Sequence, residues 1–106
     1  MTDQEFRTVA DRELEDLHER LAAAMEQFPI DIDYNAGALT IEFEETPAKF
    51  VVSPNAPVKQ IWVSANLKSY KLDWDEAKKA FVTDGKTLAK LVGDAIAVQL
   101  KQEVVL

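Results

Sequence analysis

The chain has 106 residues, and 19 Asp and Glu against 12 Lys and Arg leave a formal net charge of −7. With no cysteine and one histidine, disulfides, thiolate zinc sites, cysteine-ligated clusters, cysteine nucleophiles and multi-histidine metal sites within one chain are excluded. The length suits one domain covering residues 1–106, the acidic balance argues against nucleic acid as a partner, and no apolar run nears the ~18 residues of a membrane span.

Residues 4–28 are expected to be helical. Phe6, Ala10, Leu14, Leu17, Leu21, Ala24 and Phe28 recur at steps of three or four and form one stripe. Asp3 is the expected N-cap and Pro29 the stop. A period of two follows. Ile30, Ile32 and Tyr34 alternate with Asp31 and Asp33; Leu39, Ile41 and Phe43 alternate with Thr40, Glu42 and Glu44. With Asn35-Ala36-Gly37 between them, the pair reads as a hairpin with one buried face.

Phe50–Val52, Ile61–Val63, Tyr70–Trp74 and Ala80–Val82 are further strand candidates. Turn-forming residues separate them, among them Pro47 and the run Ser53-Pro54-Asn55-Ala56-Pro57. Asp84-Gly85 makes a turn and Thr87 an N-cap. Leu88, Leu91, Val92, Ala95 and Ile96 then give a second helix to about Leu100. The apolar residues of the final segment, Lys101 to Leu106, suggest a docked tail. The order is helix, about six strands, helix. Short turns between sequential strands demand antiparallel pairing, and flanking helices cannot be crossovers. The expected fold is therefore α+β: a two-layer sandwich with both helices on one face of an antiparallel sheet, the other face uncovered.

Charge is unevenly spread. Residues 1–45 hold 13 acids and 3 arginines, a balance of −10; residues 46–106 hold 6 acids and 9 lysines, a balance of +3. On the first helix Asp11, Glu15, Asp16, Glu19 and Glu26 lie on the arc opposite the apolar stripe, with His18 beside Asp11 and Glu15. Asp31 and Asp33, then Glu42 and Glu44, point outward on the first two strands. If the first strand is a sheet edge beside the helix, the two sets form one ridge. Acids at i, i+4 and i+8 repel one another, and only Arg7, Arg12 and Arg20 offset them on that helix. A bound cation would relieve the repulsion. Hard oxygen ligands on an exposed ridge suit Fe²⁺, Fe³⁺, Mn²⁺ or Ca²⁺ with weak affinity. The expected metal ligands are Asp11, Glu15, Asp16, Glu19, Asp31 and Asp33.

The segment Lys59-Gln60-Ile61-Trp62-Val63-Ser64 carries a second signal. Period two places Ile61 and Val63 on the helix-covered face, and Gln60, Trp62 and Ser64 on the uncovered one. An exposed tryptophan among polar neighbours is either a surface filler or a binding anchor. The expected partner-binding residues are Lys59, Gln60, Trp62 and Ser64. Trp74 alternates with Leu72 and Tyr70 and is assigned no role. No phosphate-binding loop, nucleophile elbow or HExxH motif occurs, and no catalytic residue is assigned. The chain is read as a non-enzyme, with weak ferroxidase-type iron oxidation on the acidic face left open.

Three stretches resemble the frataxin family in its small bacterial form. They are Phe6-x3-Ala10-Asp11 leading into the acidic helix; Asp31-x-Asp33 running into Gly37-Ala38-Leu39-Thr40-Ile41; and Pro57-x-Lys59-Gln60-Ile61-Trp62-Val63-Ser64, followed by Asp73-Trp74 and Asp84-Gly85. The resemblance covers the chain in order, and the Lys-Gln-Ile-Trp segment is its most specific part. It implies the same two-layer sandwich. It also implies weakly bound iron, ferrous or ferric, and a role regulating or supplying iron to iron–sulfur cluster assembly. The implied partners are a cysteine desulfurase, docked on the acidic ridge, and the iron–sulfur scaffold protein, met by Gln60 and Trp62. Ala22 and Ala23 stand where the family often has carboxylates, which weakens the far end of the ridge. Ala38 replaces a usual valine, and Ser53-Pro54 replaces a polar pair beside the sheet-face contact. Charged residues directly after Met1, without a signal or transit segment, give a cytoplasmic setting as the expectation. The chain is expected to be monomeric, with iron-driven oligomerisation open. Two rivals remain: an iron-oxidising or iron-storing oligomer, and an acidic adapter that binds no metal.

Overall fold

The computed structural model describes all residues from Met1 to Leu106. Helix α1 spans Asp3–Ala24 and is followed by strands β1 (Ile30–Asn35), β2 (Ala38–Phe43), β3 (Lys49–Asn55), β4 (Gln60–Ala65), β5 (Lys68–Asp75), β6 (Ala80–Thr83) and β7 (Lys86–Thr87). Helix α2, Leu88–Leu100, follows directly, and one turn of 3-10 helix, Ala56–Val58, joins β3 to β4.

The start of α1 is set by Thr2 rather than by Asp3. The Thr2 hydroxyl accepts from the Glu5 amide at 3.0 Å, and the Glu5 carboxylate accepts from the Thr2 amide at 2.9 Å. This reciprocal capping box satisfies donors that the first turn leaves free. The helix also stops four residues earlier than its apolar period suggested. Gln27 and Phe28 both donate to the Ala24 carbonyl in a tightened turn, because Pro29 disfavours helical geometry at Phe28. Phe28 still packs on the core, so its place in the stripe reflected burial rather than helix.

The strands lie in sequence order, β1 to β7, each antiparallel to the next. There are seven rather than about six. The additional one, β7, pairs Val82 with Thr87 and Thr83 with Lys86 around Asp84-Gly85, and two residues are too few to leave a period. Strand β3 also runs through Ser53-Pro54-Asn55, which read as a turn; Pro54 pairs opposite Ile61. Pairing with β2 ends at Val52, so Pro54 lies where one side of β3 is free, a position that accepts a residue without an N–H.

Both helices cover one sheet face. Phe6, Leu14, Leu17 and Leu21 of α1 and Leu88, Val92 and Ile96 of α2 meet Leu39, Ile41, Phe50, Ile61, Leu72 and Phe81 from the sheet in one core, with no buried charged residue. Thr87 caps α2 by accepting from the Lys90 amide. The tail docks as expected: Val104 is buried, and Leu106 packs beside Gly93. In the β4–β5 turn Asn66 and Leu67 both take positive φ, 52° and 63°, the mirror-type turn that suits a two-residue hairpin. Leu67 is fully exposed, and the Asn66 amide ties the turn to α2 through the Ala95 carbonyl. Neither helix is long and apolar enough to cross a membrane.

Candidate functional site

Strand β1 is one edge of the sheet. Its alternation turns Ile30, Ile32 and Tyr34 toward the helices and leaves Asp31 and Asp33 exposed. One flank of α1 lies over this edge. The His18 ring sits 5.5 Å from the Tyr34 ring, tilted by 37°. The Tyr34 phenol is held above its usual pKa, first by burial and then by the negative charges of Asp11 and Glu15. Glu15 and Asp11 precede His18 by three and seven residues, so they share the face of α1 whose imidazole meets Tyr34 of the β1 edge. Across the sheet Asp31 is opposite Glu42, and Asp33 is opposite Thr40.

Asp11, Glu15, Glu19, Asp31, Asp33, Glu42 and Glu44 are all exposed. The five ion pairs of the protein engage none of them. The result is a predominantly negative border without close ion pairs, shared by α1 and the first two strands, with Lys49 of β3 set opposite Glu42, and it raises the local concentration of cations and of basic surfaces.

Asp16 does not share this border. Five residues of helix turn it about 140° from Asp11, and it pairs with Arg20 at 2.8 Å. Arg20 in turn donates to the Leu106 carbonyl at 3.0 Å. Asp16 thus braces the tail, on the flank away from β1. The remaining carboxylates are spread over the flank of α1 and the outward positions of β1 and β2. No three Asp, Glu or His side chains are grouped so as to hold one ion. Such an array fits diffuse, weak attraction of a hard cation by one or two ligands at a time, and does not form a closed coordination shell.

The uncovered sheet face is organised in rows set by the strand register. One row runs Ser53, Trp62, Lys71; its neighbours run Val51, Ser64, Ser69 and Asn55, Gln60, Asp73. Trp62 is 38% exposed. Its indole N–H donates to the Gln60 side-chain oxygen at 3.0 Å, and the Gln60 amide donates to Asp73 at 3.0 Å. The Lys71 ammonium lies 5.0 Å from the indole centroid, a cation–π contact. Trp62, Ser53, Ser64 and Lys71 border a shallow depression of about 390 Å³.

Of the four partner-binding expectations, Gln60, Trp62 and Ser64 lie together here. Lys59 does not: it caps the 3-10 turn at positive φ, and its ammonium pairs with Asp3 of α1 at 3.1 Å. Trp74 packs edge-on against Phe81, ring centroids 5.2 Å apart, and donates to Glu76. Lys71 and Ser69 were not singled out in the sequence, and Asp73 and Ser53 were noted there without a place in this cluster. They become neighbours of Trp62 only through pairing register, which period two alone does not supply.

A family model described as the frataxin-like domain matches residues 1–102. The chain is 30% identical over 95 residues to "Frataxin, mitochondrial" of Caenorhabditis elegans, covering 83% of this chain and 69% of that protein. It is 29% identical to the "Iron-sulfur cluster assembly protein CyaY" of Tolumonas auensis, covering 100% of this chain and 99% of that one. The solved frataxin from Psychromonas ingrahamii shares the fold with a TM-score of 0.73 at 24% identity, covering 99% of this chain and 97% of its own. The capped acidic helix, the seven-strand meander and the exposed Trp62 face thus sit on a chain that belongs to the frataxin-like domain family.

Proposed function

We propose that this protein serves iron–sulfur cluster assembly as a weakly iron-binding adapter. In this reading the border of Asp11, Glu15, Glu19, Asp31 and Asp33 meets a basic surface of a cysteine desulfurase and holds iron loosely. The sheet face around Trp62 and Gln60 seats on the desulfurase–scaffold complex. Relatives named as cluster-assembly proteins support the pathway. The observation that carries the docking reading is the pairing of an acidic border free of close ion pairs with an adjoining uncovered sheet face that bears a held, exposed indole.

The test is cluster formation on a scaffold by a cysteine desulfurase, with and without this protein, at several Fe²⁺ concentrations. The reading predicts a rate changed by the protein, in an amount that depends on iron. A rate indifferent to the protein at every iron level contradicts it. Large assemblies formed under Fe²⁺ and oxygen would favour the storage alternative.

A further inference from the structure

Within a chain of net charge −7, the depression beside Trp62 has the opposite chemistry to the acidic border. It is lined by the hydroxyls of Ser53, Ser64 and Ser69, by the Lys71 ammonium and by the indole, with Val51 at its side. The register explains the convergence: Ser64 is directly opposite Ser69, Ser53 is opposite Trp62, and Trp62 is opposite Lys71.

None of the three hydroxyls is engaged within the protein. Lys71 has no ion-pair partner. The acid next along β5 on this face, Asp73, is turned to Gln60. The cation–π contact fixes the position of the Lys71 ammonium and leaves its N–H groups for another acceptor. Three free hydroxyls and an unpaired ammonium around one hollow suit a group that only accepts hydrogen bonds.

We propose that this depression is a carboxylate-accepting subsite, filled by an acidic side chain of the docked protein partner. Charge complementarity selects that occupant. The hollow is too open to hold a free small anion firmly, whereas a carboxylate delivered by a bound partner is already at high local concentration. A partner that answers both regions presents cations opposite Asp31 and Asp33 and a carboxylate opposite Lys71. That arrangement admits one orientation, so the subsite sets docking register as well as adding affinity.

The partner's identity rests on the docking reading above, and two measurements separate the claims. In the first, ¹⁵N-labelled protein is titrated with sodium acetate against sodium chloride at equal ionic strength. Acetate should give larger shifts than chloride at the Ser53, Ser64 and Ser69 amides and the Trp62 indole N–H, of the size weak binding of a free carboxylate produces, and the excess should vanish in Lys71→Gln. Equal responses to acetate and chloride, or an excess that persists in Lys71→Gln, overturn the subsite. In the second, binding to the desulfurase–scaffold complex is compared between Lys71→Glu and Lys78→Glu, the same charge change placed in the β5–β6 turn. Lys71→Glu should weaken binding about tenfold, and Lys78→Glu much less. Equal losses overturn the docked carboxylate. Local acetate shifts in a wild-type chain that fails to bind the complex would leave the subsite standing and remove this partner.

Discussion

Trp62 is held in place before any partner arrives. Its N–H is bound to Gln60, Gln60 is bound to Asp73, and Lys71 lies over its ring. An aromatic side chain that is already ordered loses less entropy on binding. Gln60→Leu removes the middle of this chain of hydrogen bonds. Because both hydrogen bonds are exposed to solvent, its cost in stability should stay within about 1 kcal/mol. The indole should nevertheless become more mobile, read as a lower order parameter for the Trp62 indole N–H; an unchanged order parameter would show that the hydrogen bonds do not hold it. Glu13 offers a different single-residue test. It sits half-buried on α1, and burial raises its pKa above 4.5, with the Phe81 backbone pulling the other way. The native state therefore binds more protons than the unfolded one just above pH 4.5. Stability is lost as pH rises through that window. Glu13→Gln should be more stable than wild type at neutral pH, with the difference closing below pH 4.5 in denaturant titrations. Asp94 has the opposite sign. Hydrogen bonds from Lys86 and then Lys90 lower its pKa below 3.8, so its contribution is present above that value and disappears as pH falls further.

At the scale of elements, the amphipathic stripe of α1 and the alternation of β1 and β2 were legible because each runs for several repeats. What escaped the sequence was shorter or depended on neighbours. β7 has only two residues. Pro54 looked like a breaker until the end of the β2 pairing made its place in β3 acceptable. Phe28 matched the helical stripe although it packs, half-buried, against the core from a turn. α2 carries one untested feature, Gly93 in its interior. A Cβ there would meet Leu106 at 3.5 Å and the Val104 carbonyl at 3.6 Å, ordinary contact distances. Gly93→Ala should therefore gain the helix preference of alanine, about 0.5–1 kcal/mol, measured by urea unfolding. Destabilisation instead would mean that the tail packs on α2 more tightly than those distances indicate.

Across the whole molecule, charge is segregated. The first two strands and the flank of α1 over β1 are negative, while lysines dominate the rest of the chain. The sequence revealed this asymmetry and the outward side of Trp62. The helical step alone sets Asp16 about 140° from Asp11, but its bond to Arg20 and the brace to Leu106 depend on where the tail docks and could not be read from the sequence. Nor could it reveal Lys71 and Asp73 beside the indole, which follows from the β4–β5 register. The central claim is that the uncovered sheet face is the docking surface. It is tested most directly by the affinity of Trp62→Ala for a cysteine desulfurase–scaffold complex, beside wild type. The account predicts a loss of about 2 kcal/mol or more with the fold intact; wild-type affinity in the variant would contradict it.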